Sequence, residues 1–424
     1  MDMIDYKAMI NGVAVISLAG MALPGAASAE DFSIWVRSDG SEFMPRLVEA
    51  FNAESEHHAN LQIVPVDELV QKYAIAAAGG SAPDALSLDV VFNPAFASVG
   101  QLRDMTDFAH SLPYFDSLSK AHLEVGSWEG KNYGLPFSGD ASLLIWNKDL
   151  FEKAGLDPED APDSWAEIEK DAEAVSALGD NTYGFYFSGN CGGCNIFTFT
   201  PLIWASGGDI FQHNGRTATL DSDEVAAAVE FYRGMVQKGL VPEGARTDTG
   251  TNFFGAFANG NIGIAPSGSF AIGALNNQYP DLNYGVTYLP GSQAGEWSSF
   301  AGGDNIVISA ATDESKIPAI EDFIRFAYSP EGQTILARNG AMPVRSDVAE
   351  QALAGLDERY LISVKAMAGG STPYSVVFND LINSRNGPWI TALNEAFFAN
   401  SAEQARQALE QGQQEMQSII DAAY

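Results

Sequence analysis

Apolar residues in the first part of the chain recur with two different periods. Short β-type runs alternate with segments in which apolar residues stand three or four positions apart, such as Phe43, Leu47 and Phe51. The predicted order is a strand at 32–36, a helix that ends near 52, a strand at 61–66, a helix at 68–78 and a strand at 84–91. This strand–helix–strand spacing predicts a parallel α/β sheet.

The second part of the chain continues the alternation with longer helices. It is predicted to contain a strand at 143–146, helices at 164–178 and 221–238, a loop-rich region at 262–300 and a terminal amphipathic helix at 402–423. Ser164 is expected to cap the first of these helices, because Glu167 follows three residues later in a capping-box pattern.

The predicted sheet indicates where a ligand would bind. In open parallel sheets, ligands lie beyond the carboxyl ends of the strands. Ser38, Asp39 and Glu42 follow the first predicted strand, and Asp89 lies near the end of the third. These four polar residues are therefore candidates for contact with a ligand.

The net charge of the chain argues against some classes of binding partner. The 424 residues include 55 acidic and 22 basic side chains, which give a formal net charge of −33 at pH 7. A chain this acidic, without a basic cluster, repels phosphate groups, so nucleic acid and anionic lipid are poor partners. The hydrophobic fraction of 46% is sufficient for conventional cores, and the length predicts two or three domains or one two-lobed unit.

The first residues have the pattern of an export signal. Lys7 is followed by a largely apolar run at 8–23, and Ala27-Ser28-Ala29 forms a small-residue cleavage signature. A signal peptide at 1–29 is therefore predicted, with cleavage before Glu30 and export to a periplasm. No cysteine stands at the predicted cleavage position, so a lipid anchor is not predicted. The alternative is a short membrane anchor, for which the apolar run is brief.

Two cysteines stand close together, at Cys191 and Cys194 with two glycines between them. In an oxidising compartment this pair would form a local disulfide. A thioredoxin-like redox pair and two free thiols are the alternatives. With no other cysteine, a zinc site lacks its usual ligands, and no metal or cofactor is predicted.

Longer motifs then occur in a characteristic order. Residues 133–156 read YGLPFSGDASLLIWNKDLFEKAGL, and they are followed by Trp204-Ala-Ser-Gly-Gly208, by FANGNIGI at 257–264 and by MPVR at 342–345. This set resembles the extracellular solute-binding proteins of family 1, the receptors of sugar-importing ABC transporters related to maltose-binding protein. The resemblance covers essentially the whole chain after the predicted leader.

The resemblance implies a fold and a function. The fold is the two-lobed periplasmic-binding-protein fold of type II, in which each lobe is a mainly parallel sheet flanked by helices and hinge segments cross between the lobes. Residues 30–137 and 300–342 would form the N-terminal lobe, and 138–299 and 343–424 the C-terminal lobe. The implied function is a monomeric, non-enzymatic receptor that closes on a mono- or oligosaccharide and delivers it to the permease subunits of the transporter.

The same resemblance adds candidate ligand-binding residues to the four named above. They share the chemistry of a sugar site, in which aromatic rings cover the apolar faces and carboxylates bind hydroxyl groups. The added residues are Ser138, Asp140, Asn190, Phe197, Trp204, Phe270, Gly302, Gly303, Asp304 and Arg345. Crossing segments are expected at 133–138, 289–299 and 341–345.

Two other functions remain open at this point. A receptor of the same fold could bind a polyol, a glycerol phosphodiester, a sulfonated sugar or a polyamine. An anionic solute would need Arg37, Arg345 or Arg385, whereas a polyamine would use the surplus carboxylates. A secreted glycosidase also needs paired carboxylates, but no local motif separates such a pair, and no G-x-S-x-G hydrolase motif occurs.

Overall fold

A computed structural model describes residues 29–179, 181–384 and 386–424. The predicted signal peptide, apart from Ala29, and Arg385 lie outside the described residues. The strands are β1 (Asp31–Arg37), β2 (His58–Val64), β3 (Ala85–Asp89), β4 (Ser127–Trp128), β5 (Lys131–Asn132), β6 (Gly134–Asn147), β7 (Tyr183–Phe185), β8 (Phe211–Gln212), β9 (Thr217–Ala218), β10 (Ile262–Gly268), β11 (Tyr284–Thr287), β12 (Leu289–Pro290), β13 (Trp297–Ser298) and β14 (Ala301–Ile308).

The helices alternate with these strands and vary widely in length. They are α1 (Met44–Glu54), α2 (Leu69–Ala78), α3 (Asn93–Ser98), α4 (Thr106–Ser111), α5 (Lys120–Val125), α6 (Lys148–Lys153), α7 (Trp165–Ser176), α8 (Gly192–Thr198), α9 (Thr200–Ala205), α10 (Asp223–Gln237), α11 (Gly255–Ala258), α12 (Phe270–Gln278), α13 (Ile317–Ala327), α14 (Pro330–Arg338), α15 (Ala349–Ala352), α16 (Arg359–Ala368), α17 (Pro388–Phe397) and α18 (Ala402–Ala423). The predicted terminal helix is confirmed, and Ser164 caps α7 by accepting a hydrogen bond from the Glu167 amide.

The long strand β6 joins two halves of the sheet, whose order is β2-β1-β3-β14-β6-β10-β7 with β11 also paired to β6. In the first half, β1 is parallel to β2 and β3, and β14 is antiparallel to β3 and β6. In the second half, β10 is parallel to β7, but β6 is antiparallel to β10 and β11. The lobes are therefore mixed sheets rather than purely parallel ones, because one reversed strand is inserted into each.

Separate cores lie under the two halves. Phe32, Phe51 and Phe323 pack together in one core, and a smaller cluster around Tyr73 covers the other face of the same strands. The larger core of the second half is built around Tyr232 and other aromatic side chains. This arrangement agrees with two discontinuous lobes, and the exact lobe boundaries stay a prediction.

The segment predicted as a crossing at 289–299 lies between β11 in the second half of the sheet and β14 in the first. There β12 and β13 pair as a small antiparallel hairpin. The two halves are also connected through β6 and β14, where Ala301 lies opposite Ala141 and Gly302 opposite Asp140. Met342 adds a further backbone bridge to Gly139 in the same region.

One glycine in β14 is required by this crossing. Gly303 has φ +106°, and a Cβ atom there would lie 2.0 Å from the Ser138 carbonyl oxygen. The register between β14 and β6 shifts immediately afterwards, between Asp304 and Asn305. A backbone that is both left-handed and in contact with another backbone admits no side chain without movement of a strand.

We predict that Gly303→Ala lowers the free energy of unfolding by about 2 kcal/mol or more, because it combines an unfavourable φ with a backbone clash. The matched control is Gly155→Ala, where φ is +79° but no atom lies within 4 Å of the added Cβ. The control should lose about 1 kcal/mol. Urea denaturation of both variants measures the difference, and equal losses would contradict the crowding argument.

Candidate functional site

A cleft of about 690 Å³ lies where the two halves of the sheet meet. Its walls come from the loop between β1 and α1, the crossing parts of β6 and β14, the face of α12, the end of α14 and the start of α16. The polar and aromatic side chains that line it are Arg37, Asp39, Glu42, Phe43, Ser138, Asp140, Phe270, Asn277, Gln278, Asp304, Arg338, Asn339 and Tyr360.

A partly buried arginine organises one wall of this cleft. The Arg37 guanidinium lies 2.7 Å from Asp304, 2.9 Å from Asp89 and 3.2 Å from Asp39. Asp304 is almost completely buried, and its other oxygen accepts a hydrogen bond from the Ser87 hydroxyl at 2.6 Å. Three carboxylates therefore surround one positive charge, and the group keeps an excess of negative charge.

Burial and mutual repulsion shift these groups. Burial by itself lowers the pKa of Arg37, but attraction to Asp304, Asp89 and Asp39 outweighs it, and the pKa lies above its ordinary value. Burial raises the pKa of Asp39 to about 6; Arg37 opposes this shift, and the neighbouring carboxylates of Asp304 and Asp89 add to it. Burial also raises the pKa of Asp89.

A further carboxylate, outside the Arg37 group, lies at the junction of β6 and α12. Asp140 accepts hydrogen bonds from the Ser269 hydroxyl and, at 2.8 Å, from the Ala141 amide. Burial raises the pKa of Asp140, and these hydrogen bonds oppose the shift. The next residue after Ser269 is Phe270, which begins α12 and leaves 40% of its surface exposed in the cleft.

The structure brings half of the predicted site residues to the cleft. Those that line it are Asp39, Glu42, Ser138, Asp140, Phe270, Gly303 and Asp304. Asp89 is joined to the same group through Arg37. Their common feature is a position at or just beyond a strand end or on a crossing strand, where backbone direction alone places the side chain near the junction of the lobes.

Other predicted residues lie outside the cleft lining. The Ser38 hydroxyl accepts a hydrogen bond from the Val66 amide, and Asn190 is exposed with its backbone amide bonded to the Asp248 carbonyl oxygen. Arg345 is buried against Asp347 and over the Tyr114 ring, at 3.9 Å from its centroid. Its guanidinium is therefore used within the fold.

Phe197 and Gly302 lie directly behind the cleft. A Cβ atom on Gly302 would be 3.2 Å from the Phe197 ring, and that ring also packs on Phe300 with centroids 5.4 Å apart. Trp204 lies farther away, in a second cavity of about 680 Å³, and its indole N–H donates to Asp209 at 2.8 Å.

Sequence reasoning missed several cleft residues. Tyr360 on α16, Asn277 on α12 and Arg338 at the end of α14 were not predicted. Each stands within a helix and outside any recognised motif, so no local pattern distinguishes it from a surface residue. Arg37 was considered for an anionic solute, whereas the structure uses it to hold three carboxylates together.

The two cysteines are bonded to each other. Cys191 and Cys194 form a disulfide at the start of α8, with Cα atoms 5.2 Å apart.

In the part of the chain that the structure describes, no group of three or more His, Cys, Asp or Glu is arranged to hold a metal ion. Within the same residues, no helix has both the length and the hydropathy needed to cross a bilayer.

The family profile of bacterial extracellular solute-binding proteins matches residues 46–357. The chain therefore belongs to this family, whose members are binding proteins. It is 24% identical to the diacetylchitobiose-binding protein DasA of Streptomyces coelicolor over 400 residues, which cover 87% of this chain and 90% of that one. It is also 24% identical to the sn-glycerol-3-phosphate-binding protein UgpB of Escherichia coli K12, with 74% of each chain covered.

The fold is shared with solved sugar-binding proteins. The cyclic α-maltosyl-1,6-maltose-binding protein of Arthrobacter globiformis superposes with a TM-score of 0.80 at 20% identity, covering 93% of this chain and 100% of that one. The predicted two-lobed α/β fold is thus confirmed.

The raised pKa of Asp39 makes a prediction about stability and pH. The ordinary pKa is 3.8 and the folded value about 6, so folding favours the protonated acid. The contribution of Asp39 to stability is fully present below pH 4 and is lost as the pH rises through 6. Asp39→Asn should therefore gain stability relative to the native protein between pH 4 and pH 7.

The expected gain is below about 1 kcal/mol, because the Asp39 side chain is 49% exposed and solvent screens its charge. Thermal unfolding of both proteins at pH 4 and pH 7 measures it. Glu42→Gln, a substitution on the same loop, is the control. A relative loss of stability for Asp39→Asn on going to pH 7 would contradict the assignment.

Proposed function

We propose that this protein is the solute-binding receptor of an ABC importer, and that it binds a mono- or oligosaccharide in the 690 Å³ cleft between its lobes. The observation that carries the proposal is the combination of Phe270 with Asp39, Glu42, Asp140 and Asp304 around one cavity. An aromatic ring suits the apolar face of a sugar, and carboxylates suit its hydroxyl groups.

The position of the cleft supports binding by closure of the lobes. The walls come from two different halves of the sheet, so a ligand held between them contacts both. Hinge closure around a ligand is a common motion of two-lobed binding proteins. The family and the predicted export signal support delivery of the solute from a periplasm to the permease subunits, with the receptor acting as a monomer and without catalysis.

The charges in the cleft favour a sugar over an anionic solute. Four carboxylates and two guanidinium groups line the cavity, and one of these guanidinium groups, that of Arg37, is shared by three carboxylates. Arg345 is used elsewhere in the fold. A phosphodiester or a sulfonate would therefore enter an environment of net negative charge, and its binding would be opposed by repulsion.

A thermal-shift screen of the purified protein tests the proposal. We expect at least one of maltose, diacetylchitobiose or tagatose to raise the unfolding temperature, since ligand that binds the folded state stabilises it. A glycerol phosphodiester, spermidine and the polyol ribitol are the comparison solutes. Stabilisation by only one of these three comparison solutes would contradict the sugar assignment, and no shift with any solute would contradict the receptor assignment in this cleft.

Two substitutions test the placement of the site. Phe270→Ala removes the exposed ring and Asp140→Asn removes a charged acceptor, so each should weaken binding of the sugar with the largest thermal shift by about tenfold or more. Leu361→Ala is the control, because Leu361 is also 40% exposed but lies outside the cleft lining. Isothermal titration calorimetry measures the affinities, and unchanged binding in both cleft variants would contradict this placement.

A further inference from the structure

The disulfide lies at the junction of two segments that reach the cleft. Cys191 caps α8, and its sulfur accepts a hydrogen bond from the Cys194 amide at 3.1 Å. Phe197 follows three residues after Cys194, and its ring packs behind the cleft. A Cβ atom on Gly268 would lie 2.8 Å from this ring. The cross-link therefore lies at the base of the helix that carries this ring.

The second segment packs directly on the sulfur atoms. Gly250 has φ +102°, and a Cβ atom there would lie 2.9 Å from the Cys191 sulfur and 3.0 Å from the Cys194 sulfur. Gly250 belongs to the loop at 248–254, called the Gly250 loop below. This loop is anchored near the disulfide, because the Asn190 amide donates to the Asp248 carbonyl oxygen at 2.9 Å. The two sulfur atoms therefore form part of the surface on which the Gly250 loop packs.

The Gly250 loop continues to the cleft wall. The Phe253 amide donates to the Gly250 carbonyl oxygen at 3.1 Å, and the Phe253 ring lies against Phe270 with centroids 6.1 Å apart. Phe270 lines the cleft. A continuous series of contacts therefore runs from the two sulfur atoms through Gly250 and Phe253 to the exposed ring.

A role of the disulfide in global stability alone explains these contacts less well than a role in local geometry. The cross-link closes a loop with only two residues between the cysteines, and the loss of chain entropy in the unfolded state is smaller for short loops than for long ones. Its main effect is therefore on local geometry, at the surface that supports the Gly250 loop.

We propose that the Cys191–Cys194 disulfide is a positioning element for the sugar-binding cleft, and that its reduction weakens sugar binding by releasing the Gly250 loop and the Phe270 ring. This inference rests on the proposed function. In the reduction, a dithiol transfers two electrons and two protons. The sulfur–sulfur bond breaks, each cysteine becomes a thiol, and the dithiol is oxidised to its own disulfide.

The experiment compares the oxidised native protein with the same protein reduced by dithiothreitol, and with the variant in which both cysteines are serine. Hydrogen exchange is measured at residues 251–254 and 270–275 without ligand. Calorimetry then measures affinity for the sugar with the largest thermal shift among maltose, diacetylchitobiose and tagatose. We expect faster exchange in both segments and an affinity about fivefold weaker or more in the reduced protein and in the serine variant.

A glycine pair separates positioning from general stability. Gly250→Ala presses on the sulfur atoms with the disulfide intact, whereas Gly260→Ala has a similar positive φ and no atom within 4 Å of its Cβ. We expect the first variant to lose affinity and the second to retain it, even though both lose stability. Dithiothreitol should have no further effect on the serine variant.

The outcomes distinguish this inference from the proposed function. If Phe270→Ala weakens binding but reduction changes neither affinity nor exchange at 270–275, the positioning role is wrong and the receptor assignment stands. If none of the three sugars binds, the sugar assignment fails, and the exchange data alone decide the positioning role. Equal affinity losses in Gly250→Ala and Gly260→Ala would also overturn it, because strain alone would then account for the effect.

Discussion

The cleft depends on the ion-pair group around Arg37. This residue ends β1, and its three carboxylate partners come from the following turn, from the end of β3 and from β14. Removal of Arg37 would leave three neighbouring carboxylates without a compensating charge, which is strongly unfavourable. Arg37 therefore holds the three neighbouring strands at one relative position where the cleft begins. The excess of carboxylates also gives the cleft its negative character.

The same junction connects the two lobes by backbone. β6 passes through both halves of the sheet, and β14 lies against it with Gly303 in contact with the Ser138 carbonyl oxygen. Asp140 extends this connection to α12 through its hydrogen bond with Ser269. As a result, the acidic wall, the crossing strands and the aromatic ring of Phe270 form a continuous structure, so a change in one alters the geometry of the others.

Residues beyond strand ends were the most predictable part of the site. Asp39 and Glu42 follow a strand whose position is clear from its apolar run, and Asp140 lies in the motif at 133–156 on which the predicted resemblance rests. Tyr360 was not predictable, because a tyrosine on an amphipathic helix has no pattern that marks it as a cleft residue. Arg345 and Trp204 were predicted at the ligand but are bonded to Asp347 and Asp209, partners only two and five residues away.

Local pattern in the chain predicted the longest helices, several strands and the family, because hydrophobic periodicity and short motifs depend on near neighbours. The region at 262–300, predicted as loop-rich, contains β10 and α12. Tertiary structure decided which polar groups face the cleft and which are satisfied internally. It placed Asp304 beside Arg37 across more than two hundred residues of sequence, and it placed the Gly250 loop on the disulfide. The reason is physical: a buried polar side chain must be hydrogen-bonded or paired, and only the packed structure determines which partner is within reach.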